Sequence, residues 1–156
     1  DPTKTKILAS GEATSEQALK SMGDAGLGII SAWHYDYKSD APRNVEFVKL
    51  FNEMHGRNPD FFSIGGYDGM HAIYESLKKT KGKTDAEALV AAAKGLKWES
   101  PRGPMMIDPE TRDVVQNVYI RRVQKVKGEL VNVVFDTMPM VKDPDGERRK
   151  QAAAKK

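Results

Sequence analysis

Apolar positions along this chain recur first as short runs, then at helical spacing, and finally in strict alternation. Lys6-Ile7-Leu8-Ala9 is a short apolar run ending at Ser10-Gly11, which predicts a buried strand entering a loop. Thr14-Ser15-Glu16-Gln17 has capping-box spacing, with Thr14 as the cap and Gln17 three residues on. A short helix bearing Ala18, Leu19 and Met22 is expected to follow. Gly26 to Trp33 is rich in β-formers and flanked by glycine, predicting a second buried strand. Its exit is aromatic, with Trp33, His34 and Tyr35, then Tyr37.

Three helical patterns come next. Pro42 suits a first helical turn, with Ser39 or Asp40 as cap; Phe47, Phe51 and Met54 share a face with Val48, and Gly56 can end the segment. Gly65-Gly66-Tyr67-Asp68-Gly69 is expected to open a second helix, whose stripe is Tyr67, Met70, Ile73, Tyr74 and Leu77. Lys78, Lys79 and Lys81 lie favourably near its negative C-terminal end. Thr84-Asp85-Ala86-Glu87 is a capping box for the third, with a face of Leu89, Val90, Ala93 and Leu96.

After Trp98 the period becomes two. A strand is predicted at Gly103–Ile107, a turn at Asp108-Pro109-Glu110-Thr111, and a long strand over Val114–Val126. That strand carries Val114, Gln116, Val118 and Ile120 on one face. Val115, Asn117, Tyr119, Arg121 and Val123 lie on the other, a half-polar alternation expected of a sheet edge. Lys127-Gly128-Glu129 reads as a hairpin turn into a strand from Leu130 to Phe135. The order predicts an α/β fold with a mainly strand C-terminal part.

Composition narrows the functional classes. With 156 residues, 39% hydrophobic and 30% charged, the chain can build one domain's core and lacks the composition of a disordered segment. No apolar run approaches the roughly 20 residues of a membrane helix. The formal charge of +3 comes from the last ten residues, which hold five basic residues (Arg148, Arg149, Lys150, Lys155 and Lys156) against one acid. The body therefore has no basic excess, and no nucleic-acid partner is expected. The absence of cysteine excludes disulfides, thiolate zinc sites and cysteine nucleophiles, and it suits an oxidising compartment. The chain begins at Asp1 with neither Met nor a signal peptide, as expected after removal of a leader or for a piece of a longer protein.

Catalytic patterns do not emerge. His34, His55 and His71 are the only histidines, no two lie four apart, and none has a local carboxylate pattern for a metal. The glycine cluster at 65–69 lacks the spacing and the Lys-Ser/Thr ending of a phosphate loop, and nothing resembles a nucleophile elbow. Ser63 and Ser100 read as cap and loop residues. Neither enzymatic activity, nor a metal, nor a cofactor is expected.

Several segments together resemble the type I periplasmic solute-binding proteins of the branched-chain amino-acid (leucine/isoleucine/valine) ABC transporter family. They are Lys6 to Glu12, Gly26 to Ile30 with its aromatic exit, Gly65 to Gly69 before a helix, Ser100 to Pro109, and Thr111 to Tyr119. Their order and spacing cover nearly all of residues 4–144. The resemblance is to the C-terminal part of a protein more than twice as long, in which two α/β lobes joined by three crossovers clamp a ligand. It implies a partial type I periplasmic-binding fold with the N-terminal half missing. Residues 1–28 would belong to the second lobe, 29–38 to a hinge strand, and 39–98 to helices of the first lobe. Residues 99–140 would form the crossover and the C-terminal strands of the second lobe, and 141–156 a basic flexible tail.

The implied function is the periplasmic solute-binding component of an ABC importer, taking an amino acid or related small solute and delivering it to a permease. Alternatives are a ligand-sensing regulatory or receptor domain of the same fold and, more distantly, an α/β enzyme. The resemblance aligns Glu12 with an acid that pairs with a ligand's α-ammonium; the alternative is an ordinary loop acid near a helix N-terminus. Trp33 and Tyr35 would share a face if the strand continued, as cleft aromatics or as packing around the hinge. Tyr67 faces either a cleft or the core, in a stripe with Met70 and Tyr74. Arg102-Gly103-Pro104 is expected to shape a crossover strand without touching ligand. Three amphipathic helices with no strands of their own would expose an apolar patch unless the chain rearranged, dimerised or met its other half.

Overall fold

The computed structural model describes residues 5–153. Residues 1–4 of the stretch assigned above to a second lobe lie outside the described residues, as do Lys155 and Lys156 of the basic C-terminal stretch. The chain divides into two compact units, one of residues 5–36 with 118–139 and the other of 37–117 with 140–153.

Unit 1 holds β1 (Leu8–Ser10), a 3₁₀ turn (Gly11–Thr14), α1 (Glu16–Met22), a second 3₁₀ turn (Gly23–Gly26) and β2 (Ile30–Trp33). It also takes the C-terminal part of β5 (Val114–Val126) and most of β6 (Glu129–Val141). β1 runs parallel to β2, with Leu8 opposite Ile30. β2 runs antiparallel to β5, with Ser31 opposite Arg121 and Trp33 opposite Tyr119. β5 also pairs with β6, so the half-polar alternation that suggested an edge belongs to an inner strand. Leu19, Ile29 and Val123 are buried together, with Ala9, Met22 and Leu130 packed against them.

Two local expectations change in this unit. Ser15 caps α1 by accepting the Ala18 N–H at 3.4 Å, because the Thr14 hydroxyl is committed elsewhere, donating to Ser31 Oγ at 2.9 Å. The strand expected to be buried near Leu8 is buried on one side only: β1 pairs with β2 along one edge, Ala9 packs on the core, and Leu8 is 76% exposed.

Unit 2 holds α2 (Pro42–His55), α3 (Phe61–Lys79), α4 (Ala86–Ala93), β3 (Lys97–Ser100) and β4 (Gly103–Ile107). The start of β5, the end of β6 and α5 (Pro144–Ala153) complete it. Pro42 stands in the first turn of α2, and Gly56 ends that helix in the left-handed conformation, φ 64°. Neither Ser39 nor Asp40 caps α2. Asn44 instead ties down the preceding segment, its Nδ2 donating to the Tyr37 and Ser39 carbonyls at 2.9 and 2.8 Å. α3 starts before the glycine cluster because Asp60 and Ser63 form a reciprocal capping box, which leaves Gly65, Gly66 and Gly69 inside the helix. Asp85, one residue after the expected Thr84, caps α4 by accepting the Ala88 N–H at 2.9 Å. β3, which the period did not reveal, forms a hairpin with β4, Trp98 opposite Met105. The stretch expected to be a flexible tail contains α5, whose lack of an apolar stripe hid it from the pattern.

Phe47, Ile64, Leu96, Met105 and Val115 are the buried apolar residues of unit 2. Of the expected α3 stripe, Tyr67, Met70, Ile73 and Tyr74 are 40–56% exposed, and Met54 of α2 is 76% exposed. The helices thus present apolar side chains that the described residues cover only in part.

One carboxylate joins the helical layer to the strands. Asp68, buried on α3, accepts from Trp98 Nε1 at 3.0 Å, Ser100 Oγ at 3.0 Å and Arg102 Nε at 2.7 Å. Removing one member of such a pair strands the other charge in a low-dielectric interior. Asp68→Ala is expected to cost about 3–5 kcal/mol, read as a lowered urea midpoint with unchanged slope.

A second carboxylate organises the turn before β5. Asp108 Oδ1 accepts the backbone N–H groups of Glu110 and Thr111 at 2.8 and 3.2 Å, and Lys142 Nζ lies 3.2 Å from Oδ2. Those two N–H groups, followed by Lys142, hold the carboxyl down from its ordinary 3.8 to about 2. Since the folded value lies below the ordinary one, the stabilisation is complete above roughly pH 4 and is lost as pH falls towards 2. Asp108→Asn keeps the acceptor without the charge, and it is expected to flatten the acid limb of the urea midpoint plotted against pH.

Candidate functional site

The side chains that converge in unit 1 do so at the carboxyl ends of its two parallel strands. β1 ends at Ser10 and leads into the Gly11–Thr14 turn; β2 ends at Trp33 and leads to Tyr35. In α/β sheets, ligands are taken at this end, where chains leave the sheet and loops are free to vary.

The geometry rests on β5. Its alternation points Val115, Arg121 and Val123 inward, all at most 4% exposed. Register places Arg121 directly opposite Ser31. From there the guanidinium spans the site: Nη2 donates to the Gly11 carbonyl at 3.2 Å, to Thr14 Oγ1 at 3.3 Å and to Ser31 Oγ at 3.3 Å. Nη1 donates to the Tyr35 carbonyl at 3.4 Å. Asn132 on β6 secures the same turn, its Nδ2 donating to the Thr14 carbonyl at 2.6 Å. Burial pushes the Arg121 pKa down, opposed by the negative charges of Asp36 and Glu16.

Aromatic side chains gather at the same strand ends. The Trp33 side chain crosses Gly11 so closely that a Cβ there would stand 2.2 Å from Trp33 Cγ. His34 tilts against Trp33 with ring centroids 4.5 Å apart. Tyr35 is buried, and Trp33 is half-buried. β2 stops at Trp33, so the two aromatics do not continue one strand face as expected. Glu12 is exposed on the turn next to Gly11, and among the described residues no basic group pairs with it.

Of the four residues singled out from sequence, Glu12, Trp33 and Tyr35 thus belong to adjoining strand ends of unit 1. Tyr67 belongs to unit 2, exposed on α3 with its ring 5.0 Å from that of Phe47. Sequence reasoning missed Arg121, Thr14, Ser31 and Asn132. The signal for Arg121 was available: a cation sharing the Val115 and Val123 face of a long alternating strand. Among the described residues, no three His, Asp or Glu side chains gather as a metal cluster.

Comparison with known proteins gives this arrangement a family. A periplasmic binding protein family profile matches residues 1–129. The Leu/Ile/Val-binding protein homolog 6 of Brucella abortus is 41% identical over 143 residues, covering 89% of this chain and 36% of that protein. A solute-binding protein of an ABC transporter from Rhodopseudomonas palustris BisB5, solved in complex with 3,4-dihydroxybenzoic acid, is 50% identical with a TM-score of 0.83. That match covers 90% of this chain and 39% of the other. A second, from Rhodopseudomonas palustris HaA2 in complex with p-hydroxybenzoic acid, is 41% identical with a TM-score of 0.84, covering 94% and 40%.

The chain therefore belongs to the periplasmic binding protein family. It spans a little over a third of the length of these relatives, 36–40%, and so carries part of the type I periplasmic-binding fold.

The contact between Trp33 and Gly11 leaves no room for a methyl group. Gly11→Ala is expected to displace the Trp33 ring and cost about 1–3 kcal/mol through overpacking. In protein labelled with 5-fluorotryptophan, the Trp33 fluorine resonance should move while that of Trp98 stays in place.

Proposed function

We propose that this chain forms part of the solute-binding component of an extracytoplasmic ABC import system, with an aromatic carboxylic acid of the hydroxybenzoate type as its solute. The observation that carries this reading is the Trp33 ring over Gly11 beside the exposed Glu12, which no basic group pairs with among the described residues, at the carboxyl ends of β1 and β2. A flat ring is held well by a flat aromatic face, and a carboxylate accepts a strong hydrogen bond from a phenol O–H. The hydroxybenzoic acids named with two Rhodopseudomonas palustris relatives are ligands of that shape and chemistry.

Within this reading, unit 1 belongs to the second lobe of the complete protein and the helices α2, α3 and α4 of unit 2 to the first. Glu12, Trp33 and Tyr35 are the ligand contacts of the one, and Tyr67 is that of the other. Function is binding without chemistry: the ligand favours the closed state through contacts that only the closed lobes make, and the loaded protein delivers it to a permease. The N-terminal portion of the protein supplies the remaining contacts, and its sheet covers the apolar stripes of α2 and α3.

A second reading, an amino-acid ligand, is favoured by Glu12 itself, because an α-ammonium taken out of water needs a fixed carboxylate. The Brucella relative's name points the same way. Titration calorimetry on the complete protein separates the two. Hydroxybenzoates are expected to bind and L-leucine not to, with Glu12→Gln weakening hydroxybenzoate less than about tenfold, because an amide oxygen still accepts from the phenol. Tight leucine binding, lost by about 10- to 100-fold in Glu12→Gln, would instead establish the amino-acid reading.

A further inference from the structure

We infer that Arg121 is a positioning residue, whose guanidinium fixes the ligand-contacting turn and the exit of β2 as one body. The proposal rests on the reading that Glu12 and Trp33 touch ligand. Nη2 holds the turn through the Gly11 carbonyl and Thr14 hydroxyl, and Nη1 holds the Tyr35 carbonyl. Tyr35 lies one residue before Asp36, where the chain leaves unit 1; Arg121 lies just after β5 enters that unit at Val118. One side chain thus links the end of β1, the exit of β2 and the entry of β5.

Stability alone does not explain an arginine here. Its hydrogen-bond acceptors are carbonyls and hydroxyls, and among the described residues no carboxylate lies within ion-pair distance; the Nε meets no protein acceptor. A buried cation so placed is generally no more stabilising than an apolar side chain of similar volume. What the guanidinium supplies is shape: a rigid planar fork reaches separate acceptors at once, which the point charge of a lysine does not. The turn that presents Glu12, and the Gly11 surface on which Trp33 lies, take their positions from that fork.

The test uses the complete protein labelled with 5-fluorotryptophan, in wild type, Arg121→Lys and Ser31→Ala, with the Trp33 resonance assigned by Trp33→Phe. In folded Arg121→Lys without ligand, the Trp33 resonance should shift or broaden while Trp98 is unmoved. Affinity for 4-hydroxybenzoate should fall on the order of tenfold, equivalent to about 1.4 kcal/mol. Ser31→Ala removes one acceptor and should produce smaller changes in the same direction. An unmoved Trp33 resonance together with wild-type affinity in folded Arg121→Lys overturns the proposal. If that variant does not fold, Ser31→Ala decides: a displaced resonance with weakened binding supports the role, and wild-type values overturn it. If wild type binds neither 4-hydroxybenzoate nor L-leucine, the ligand reading fails, and the ligand-free Trp33 resonance alone decides the role of Arg121.

Discussion

A cation held out of water must find acceptors for its protons, and in unit 1 that requirement falls on Arg121. The guanidinium takes the Gly11 and Tyr35 carbonyls and the hydroxyls of Thr14 and Ser31. Several otherwise independent facts follow. Thr14 is occupied and cannot cap α1, so the helix begins one residue later on Ser15. Ser31 must stand opposite Arg121, so slippage of β2 against β5 by one residue would turn the hydroxyl away and strand the charge. The turn after β1 is thereby held to the sheet by Arg121 and packed against Trp33 at Gly11.

Unit 2 uses the opposite charge differently. Asp68 gathers three donors from β3 and the turn that follows it, one of them the ionic partner Arg102. Two stretches that resembled the family separately, Gly65–Gly69 and Ser100–Pro109, meet at this carboxylate. The two are joined there by hydrogen bonds between residues 32 and 34 positions apart. Arg102 is the buried partner of Asp68, which gives it a structural place in the turn.

Much of the framework was legible because local rules went unopposed. β4 and β5 have the bounds their alternation indicated, and Pro42 and Gly56 delimit α2. What escaped depends on distant partners. The cap of α1 turns on a bond from Thr14 to a serine 17 residues away, and the inner place of β5 depends on β2, far back in the chain. In α3 two local rules competed: three glycines argued for a start near residue 65, and the Asp60–Ser63 box prevailed. At the site, Glu12, Trp33 and Tyr35 stood out as chemistry-bearing side chains at strand ends. Arg121 did not, because an arginine in an alternating strand ordinarily faces water; its place on the face of Val115 and Val123 was the one sign that it turns inward, and the register supplies its partner, Ser31.

The three glycines of α3 have a consequence of their own. No atom lies within 4 Å of the position a Cβ would take at Gly65, Gly66 or Gly69, so nothing in the described structure demands a bare backbone there. Each mid-helix glycine forgoes roughly 0.5–1 kcal/mol relative to alanine. A redesign aimed at thermal hardiness would replace all three on the evidence of the chain alone. The same change would add three methyl groups to the surface of a helix whose Tyr67, Met70, Ile73 and Tyr74 are themselves 40–56% exposed. Helix propensity given up in the first half of α3 is thus the counterpart of bare backbone at the helix surface.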